Sequence, residues 1–177
     1  MANYFESDNY LKGYFGKDLV KSMLERSGYT VCHYGYEDTL LDAMSKRTSK
    51  TSNSKTGRRI RKSPDLLAYD DQTIMLVEIK TRGKSPPVIA FSEVEILNEF
   101  WNDAVLVVIV PEGNIFYAQR IDDLEVQPNG NYPLSNFKKF QEIFTRVNDA
   151  DISHYQQIAS QILQIFKTKK DRNYLFF

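Results

Sequence analysis

The chain has 177 residues, 42% of them hydrophobic and 13% aromatic, enough for one domain with a sizeable core. Its 23 basic and 23 acidic residues cancel, and the lone Cys32 excludes an intramolecular disulfide and a Cys-rich zinc site. His33 and His154 lie far apart, against a zinc or Ser-His-Asp centre, and the longest apolar run, Ala104 to Pro111, is too short to span a bilayer. Met1 to Glu6 lacks the charged and apolar regions of a signal peptide. A cytoplasmic protein with no membrane partner is therefore expected, a virus- or mobile-element-encoded one included.

In chain order, Ser7 or Asp8 caps a predicted helix with Leu11, Phe15, Leu19, Met23 and Leu24 at helical spacing. Gly28 stands where helices commonly end. Tyr29 to Tyr36 reads as a short strand, and Thr39 to Met44 as a helical turn. The segment 45–62 is different in kind. Of the 23 basic residues, eight (Lys46, Arg47, Lys50, Lys55, Arg58, Arg59, Arg61 and Lys62) fall in 46–62 without one acidic residue, leaving 15 basic against 23 acidic elsewhere. Almost nothing apolar is available there, so the composition predicts a mobile basic loop. It is either a solvated linker or a phosphate-binding arm.

Two apolar runs, Leu66 to Tyr69 and Ile74 to Ile79, flank Asp70-Asp71-Gln72, the signature of an antiparallel hairpin. If Asp71 and Gln72 form the loop, residue 70 faces 73 and Asp65 lies across from Glu78. Opposed Cβ atoms are roughly 4.5–5.5 Å apart, and the two-residue strand period puts Lys80 on the face of Glu78. Two carboxylates that close repel by roughly 3 kcal/mol at an effective dielectric near 20. Lys80 offsets part of this and a divalent cation would offset more; Mg²⁺ suits one or two carboxylates plus phosphate oxygens. A salt-bridge cluster at a sheet edge is the competing reading.

Arg82 to Pro87 reads as a loop that adds Arg82 and Lys84 to the positive charge near this patch. Ile89 to Asn102 is a predicted helix, and Ala104 to Val110 a central strand covered on both faces. Ile115 to Ala118 follows as an edge strand, and Ile121 to Pro133 as a polar loop. Two further helices are predicted. Phe137, Phe140, Ile143, Phe144 and Val147 stripe the first; Ile152, Tyr155, Ile158, Ile162 and Phe166 stripe the second. The apolar tail Tyr174 to Phe177 would dock within the chain or at a dimer contact. Domain organisation is thus expected as a core over 1–125 with a helical extension over 126–177.

Pro64-Asp65 followed by Glu78-Ile79-Lys80, set on a hairpin between a Gly-ended helix and a helix–strand pair, resembles the signature of the PD-(D/E)xK nuclease superfamily. Arg82 to Leu97 is further similar to the region after the signature in archaeal Holliday-junction resolvases. The resemblance covers about residues 10–120. It implies an α/β, restriction-endonuclease-like fold with a mixed αβββαβ sheet core, and a DNA endonuclease of structure-specific or restriction/repair type using Mg²⁺ or Mn²⁺. Asp65 and Glu78 would be metal-binding carboxylates, the Ile79 carbonyl a backbone ligand, and Lys80 the group that orients water and stabilises phosphate charge. Lys46, Arg47, Lys50, Lys55, Arg58, Arg59, Arg61, Lys62, Arg82 and Lys84 would hold the DNA backbone, and a homodimer would allow paired cuts.

One position departs from the pattern. The resolvase-like first-helix Glu corresponds here to Lys17, with Asp18 beside it. Asp18 could serve after a small shift, Glu25 or Glu37 could substitute, or the site could work with fewer carboxylates. On the later helix, Ser92, Glu93 and Glu95 sit where a polar site residue is expected, and Glu95 is the one put forward. The rival class is a nucleic-acid-binding or assembly subunit with a degenerate nuclease fold. A small-molecule enzyme ranks last, because no Gly-rich phosphate loop or nucleophile motif is present.

Overall fold

A computed structural model describes residues 4–35, 53–82, 88–110, 115–125 and 130–172. In chain order the elements are α1 (Tyr4–Arg26), β1 (Thr30–His33), α2 (Lys55–Arg61), β2 (Leu66–Tyr69), β3 (Ile74–Thr81), β4 (Val88–Ala90), α3 (Phe91–Phe100), β5 (Val105–Val110), β6 (Ile115–Arg120), β7 (Asn131–Pro133), β8 (Lys138–Lys139), α4 (Phe140–Ile143) and α5 (Asp149–Arg172). Among the described residues, one six-stranded sheet has the order β1-β2-β3-β5-β6-β8, and β4 pairs with β7 in a second. All the pairings in the larger sheet are antiparallel except β3–β5. The expected mixed sheet and αβββαβ order are present as α1, β1, β2, β3, α3 and β5.

The sheet separates two apolar layers, and β5 shows why. All six of its residues are buried, as a strand covered on both faces must be. Val105, Val107 and Ile109 join Leu19, Val20, Met23 and Leu24 of α1 and Ile152, Tyr155 and Ala159 of α5. Leu106, Val108 and Val110 point the other way, to Val94 and Leu97 of α3, Ile89 and Tyr132. The two-residue strand period has sorted one run of aliphatic residues into both cores.

The hairpin has the register read from the sequence. Leu66 is opposite Val77 and Tyr69 opposite Ile74, and the Asp70 N–H donates to the Thr73 carbonyl at 3.0 Å. Asp70 Oδ1 accepts from the Gln72 and Thr73 N–H groups at 2.9 and 2.8 Å. Those two bonds, Gln72 first, hold the Asp70 carboxyl below its usual range. Arg146 then staples the turn to the first layer. Its Nε lies 2.9 Å from Asp70 Oδ2, it pairs with Asp71, and its Nη1 donates to the Gly28 carbonyl.

Several sequence expectations are corrected. Residues 55–61 are helical, not loop, with the Ser54 side chain accepting from the Gly57 N–H at 3.0 Å. The helix expected from Ile89 begins at Phe91, because Val88–Ala90 pairs with Asn131–Pro133. Glu93 accepts from the Ala90 N–H at 3.0 Å at that start. The polar loop 121–133 contains a short 3₁₀ turn, Ile121–Asp123, and β7. Ile115–Arg120 is longer than expected and is not an edge, since β8 pairs with it. The first of the two later helices shrinks to the single turn Phe140–Ile143, behind a 3₁₀ turn and β8. The second is present as Asp149–Arg172. The turn expected at 39–44 and the tail from Tyr174 lie outside the described residues.

Two glycines place α1. Gly28, at φ +89°, lies in the left-handed region. It lets the Tyr29 N–H reach back to the Leu24 carbonyl at 3.0 Å, which ends the helix. Gly16 is buried where α1 crosses β3, and a Cβ there would collide with Thr81 Oγ1. Gly16→Ala should therefore destabilise the fold by about 1–3 kcal/mol despite its better helix propensity. Urea unfolding checks this, and a more stable variant would contradict the close approach.

Candidate active site

Asp65 immediately precedes β2, and continuation of the hairpin register sets it across from Glu78 on β3. Both are buried, 8% and 9% exposed. The chain reaches this arrangement through backbone bonds: the Tyr34 and Gly35 N–H groups both donate to the Asp65 carbonyl, at 2.9 and 3.1 Å. The Asp65 carboxylate turns over β3, where Oδ2 accepts from the Ile79 N–H at 2.8 Å. Its other oxygen, Oδ1, lies 2.8 Å from Lys17 Nζ. Glu78 Oε1 is paired with Lys80 Nζ at 2.5 Å. Two carboxylates and two ammonium groups thus share one patch.

That patch opens into a cavity of about 400 Å³ lined by Lys17, Asp65, Glu78 and Lys80, by Arg61, Lys62 and Ser63 from the end of α2, and by Ser92 and Glu93 of α3. Of the described residues of the basic tract, Arg61 and Lys62 reach the rim. Arg58 and Arg59 are used otherwise. Arg58 pairs with Glu99 at 3.0 Å and stands 5.7 Å from the Phe100 ring, while Arg59 lies 4.8 Å from the Trp101 ring. These cation–π and ionic contacts fix α2 against the end of α3. Lys55 is exposed on α2, and Arg82 pairs with Glu93. Lys46, Arg47, Lys50 and Lys84 lie outside the described residues, as does Glu37.

The extra acidic candidates do not enter the cavity. Asp18 is 63% exposed and 3.8 Å from His33 Nε2, and Glu25 pairs with Lys21 on the solvent side of α1. Glu95 is exposed, and its charge raises the Tyr132 hydroxyl's pKa together with the larger effect of burial. Helix phase explains this. Glu93 shares a face with Ile96 and Leu97, three and four positions on, and Glu95 does not. On α1, Gly16, Leu19, Val20, Met23 and Leu24 face the core, so Lys17 flanks that face and Asp18 points away. Lys17 is the site group whose part the sequence left unassigned. Its departure from the resolvase-like pattern was the available signal.

The donor set suits a hard divalent cation of the Mg²⁺ type, which takes one or two carboxylates and completes its shell with water or phosphate oxygens. Among the described residues no cluster of three or more His, Cys, Asp or Glu side chains supplies a full protein cage. Burial and the neighbouring Asp65 charge push the Glu78 carboxyl up to about 7, against the opposing pull of Lys80 and Lys17. Burial and Asp65 together outweigh the pull of the two ammonium groups; a divalent cation would add to that pull and favour the charged form.

A pH dependence follows. The folded state holds the Glu78 proton up to about 7 and the unfolded chain loses it near 4.5. Between those values the native state binds more protons, so stability falls as pH rises across the window. Denaturant unfolding of the metal-free protein should show the decline, and Glu78→Gln should remove it. A parallel decline in both proteins would assign it to other groups.

Comparison with known proteins identifies a family. The family described as archaeal Holliday junction resolvase (Hjc) matches residues 45–150, which include α2, the hairpin, α3, β5 and β6. Among solved structures, the Archaeoglobus fulgidus Hjc, titled a Holliday junction resolvase from an archaeal hyperthermophile, is 16% identical with a TM-score of 0.48, covering 75% of this chain and 94% of that one. No curated protein matches the chain. With well over half of its length matched by the family, the chain belongs to the archaeal Holliday junction resolvases.

Proposed function

We propose that this chain is a divalent-metal-dependent endonuclease that cuts phosphodiester bonds in branched DNA, four-way junctions first. The observation that carries the reading is the convergence of Asp65, Glu78 and Lys80 on one cavity with Arg61 and Lys62 at its rim. Asp65 and Glu78 would hold Mg²⁺ or Mn²⁺, with the Ile79 carbonyl as a backbone ligand. Bound there, the cation supplies charge neutralisation at the phosphate and makes water a competent nucleophile near neutral pH.

The protein's own groups divide the remaining work. The Ile79 N–H locks the Asp65 carboxylate so that Oδ1 faces the ligand side. Lys80, held against Glu78, places an ammonium where negative charge grows on the phosphate oxygens as water adds and the bridging P–O bond breaks. Arg61 and Lys62 position the strand by its phosphates, without reading sequence. A second copy of the chain would bring a second site to the opposite strand of a junction.

A DNA-binding protein without turnover is the second reading, favoured by Lys17 on Asp65 where the family pattern has a carboxylate. The two separate on one gel. Wild-type protein with Mg²⁺ or Mn²⁺ should cut a four-way junction, and Lys80→Ala or Asp65→Asn should lower the rate by roughly 10²–10³-fold. Salt-sensitive junction binding with no cleavage in either metal would select the second reading. Equal cutting by Asp65→Asn and wild type would remove the site assignment.

Binding gives an independent prediction. Arg61→Gln with Lys62→Gln should reduce the slope of log affinity against log salt by about 2, near 0.9 per lost phosphate contact. Fluorescence anisotropy across a salt series measures it. An unchanged slope would place the DNA elsewhere.

A further inference from the structure

We propose that Lys17 is a resident counter-cation that occupies the metal's place on Asp65 until DNA arrives, so that metal and substrate phosphate bind cooperatively. This rests on the reading of Asp65 and Glu78 as the cation-binding pair. The geometry is specific. Asp65 Oδ2 is committed to the Ile79 N–H at 2.8 Å, which leaves Oδ1 as the oxygen facing incoming ligands. Lys17 Nζ sits on that oxygen at 2.8 Å.

Charge dictates the consequence. When both are ionised, the carboxylates of Asp65 and Glu78 are matched by the ammonium groups of Lys17 and Lys80. A divalent ion entering this balanced group must displace one ammonium and leave two positive charges close to its own. Coulomb repulsion at partly buried sites is substantial, so binding to the metal-free protein is weak. A phosphodiester changes the sum. It brings an anionic oxygen for the cation and an acceptor for the displaced Lys17. The Tyr14 ring, one turn back, already lies 5.8 Å from Nζ, so a cation–π contact accompanies the ion pair and keeps the ammonium beside the site. Lys17 is thus a positioning residue that acts through Asp65, and it couples loading of the site to the presence of substrate.

The experiment titrates Mn²⁺ into the full-length, metal-free protein by calorimetry, with no DNA present. Lys17→Met keeps the stem and removes the charge, and should bind Mn²⁺ roughly tenfold or more tightly than wild type. Lys17→Arg keeps the charge and can grip the carboxylate bidentately, so it should bind no more tightly than wild type. The second arm measures anisotropy of a labelled four-way junction with and without Ca²⁺. By reciprocity, Ca²⁺ should tighten junction binding by a larger factor in wild type than in Lys17→Met. Equal Mn²⁺ affinities for wild type and Lys17→Met, or tighter binding by Lys17→Arg, overturn the proposal. If Lys17→Met does not fold, the Lys17→Arg comparison still decides. An Asp65→Asn protein that binds Mn²⁺ as well as wild type overturns the cation-site reading itself, which separates that failure from a failure of Lys17 alone.

Discussion

The structure depends on placing two carboxylates side by side in a buried corner of a sheet and keeping them there. Asp65 and Glu78 repel each other, and burial raises the cost of charging either. Their opposition is enforced by register, and register by elements remote from the site. The Asp70 turn sets which residues face each other, and Arg146, from beyond α4, clamps Asp70, Asp71 and the end of α1 into one unit. A slip of one residue would send Glu78 into the layer of Val77 and Ile79. The C-terminal part of the chain thus serves the site it does not touch.

What could be read from the sequence was whatever local period or turn chemistry decides. The hairpin register followed from Asp70-Asp71-Gln72 because that turn is closed by its own side chain. The burial of β5 followed from a nearly continuous β-branched run, and α1 and α5 from apolar spacing. The failures have tertiary causes. Ile60 alone is apolar in residues 55–61, too little to announce a helix, which is held by Arg58 and Arg59 on Glu99, Phe100 and Trp101, about forty residues on. Phe137 to Val147 has helical spacing, yet its backbone is claimed by β6: Tyr117 is opposite Lys139, and Gln119 accepts from the Lys138 N–H. Competition for backbone hydrogen bonds is invisible to a pattern of side chains.

The basic tract shows how one composition divides into different tasks. Charge counting treats its arginines and lysines as equivalent, and the helix makes them unequal. Successive residues of α2 point in different directions, so Arg58 and Arg59 are spent on the α3 end while Arg61 and Lys62 are delivered to the cavity. Among the described residues the tract is therefore partly a positive rim and partly the mounting that holds the rim in place.

The exchange of a carboxylate for Lys17 has a wider meaning for the site's electrostatics. With a third acid on α1, the group would carry a net negative charge and attract a cation on its own. With Lys17 there, the ammonium does within the chain what a metal does from solution: it neutralises Asp65 and removes one penalty of burying it. On the proposal above, the fold needs no ion to hold the corner together, and the free protein's pull on metal is weak. Substrate phosphate, the one participant that would bring new negative charge, would restore that pull.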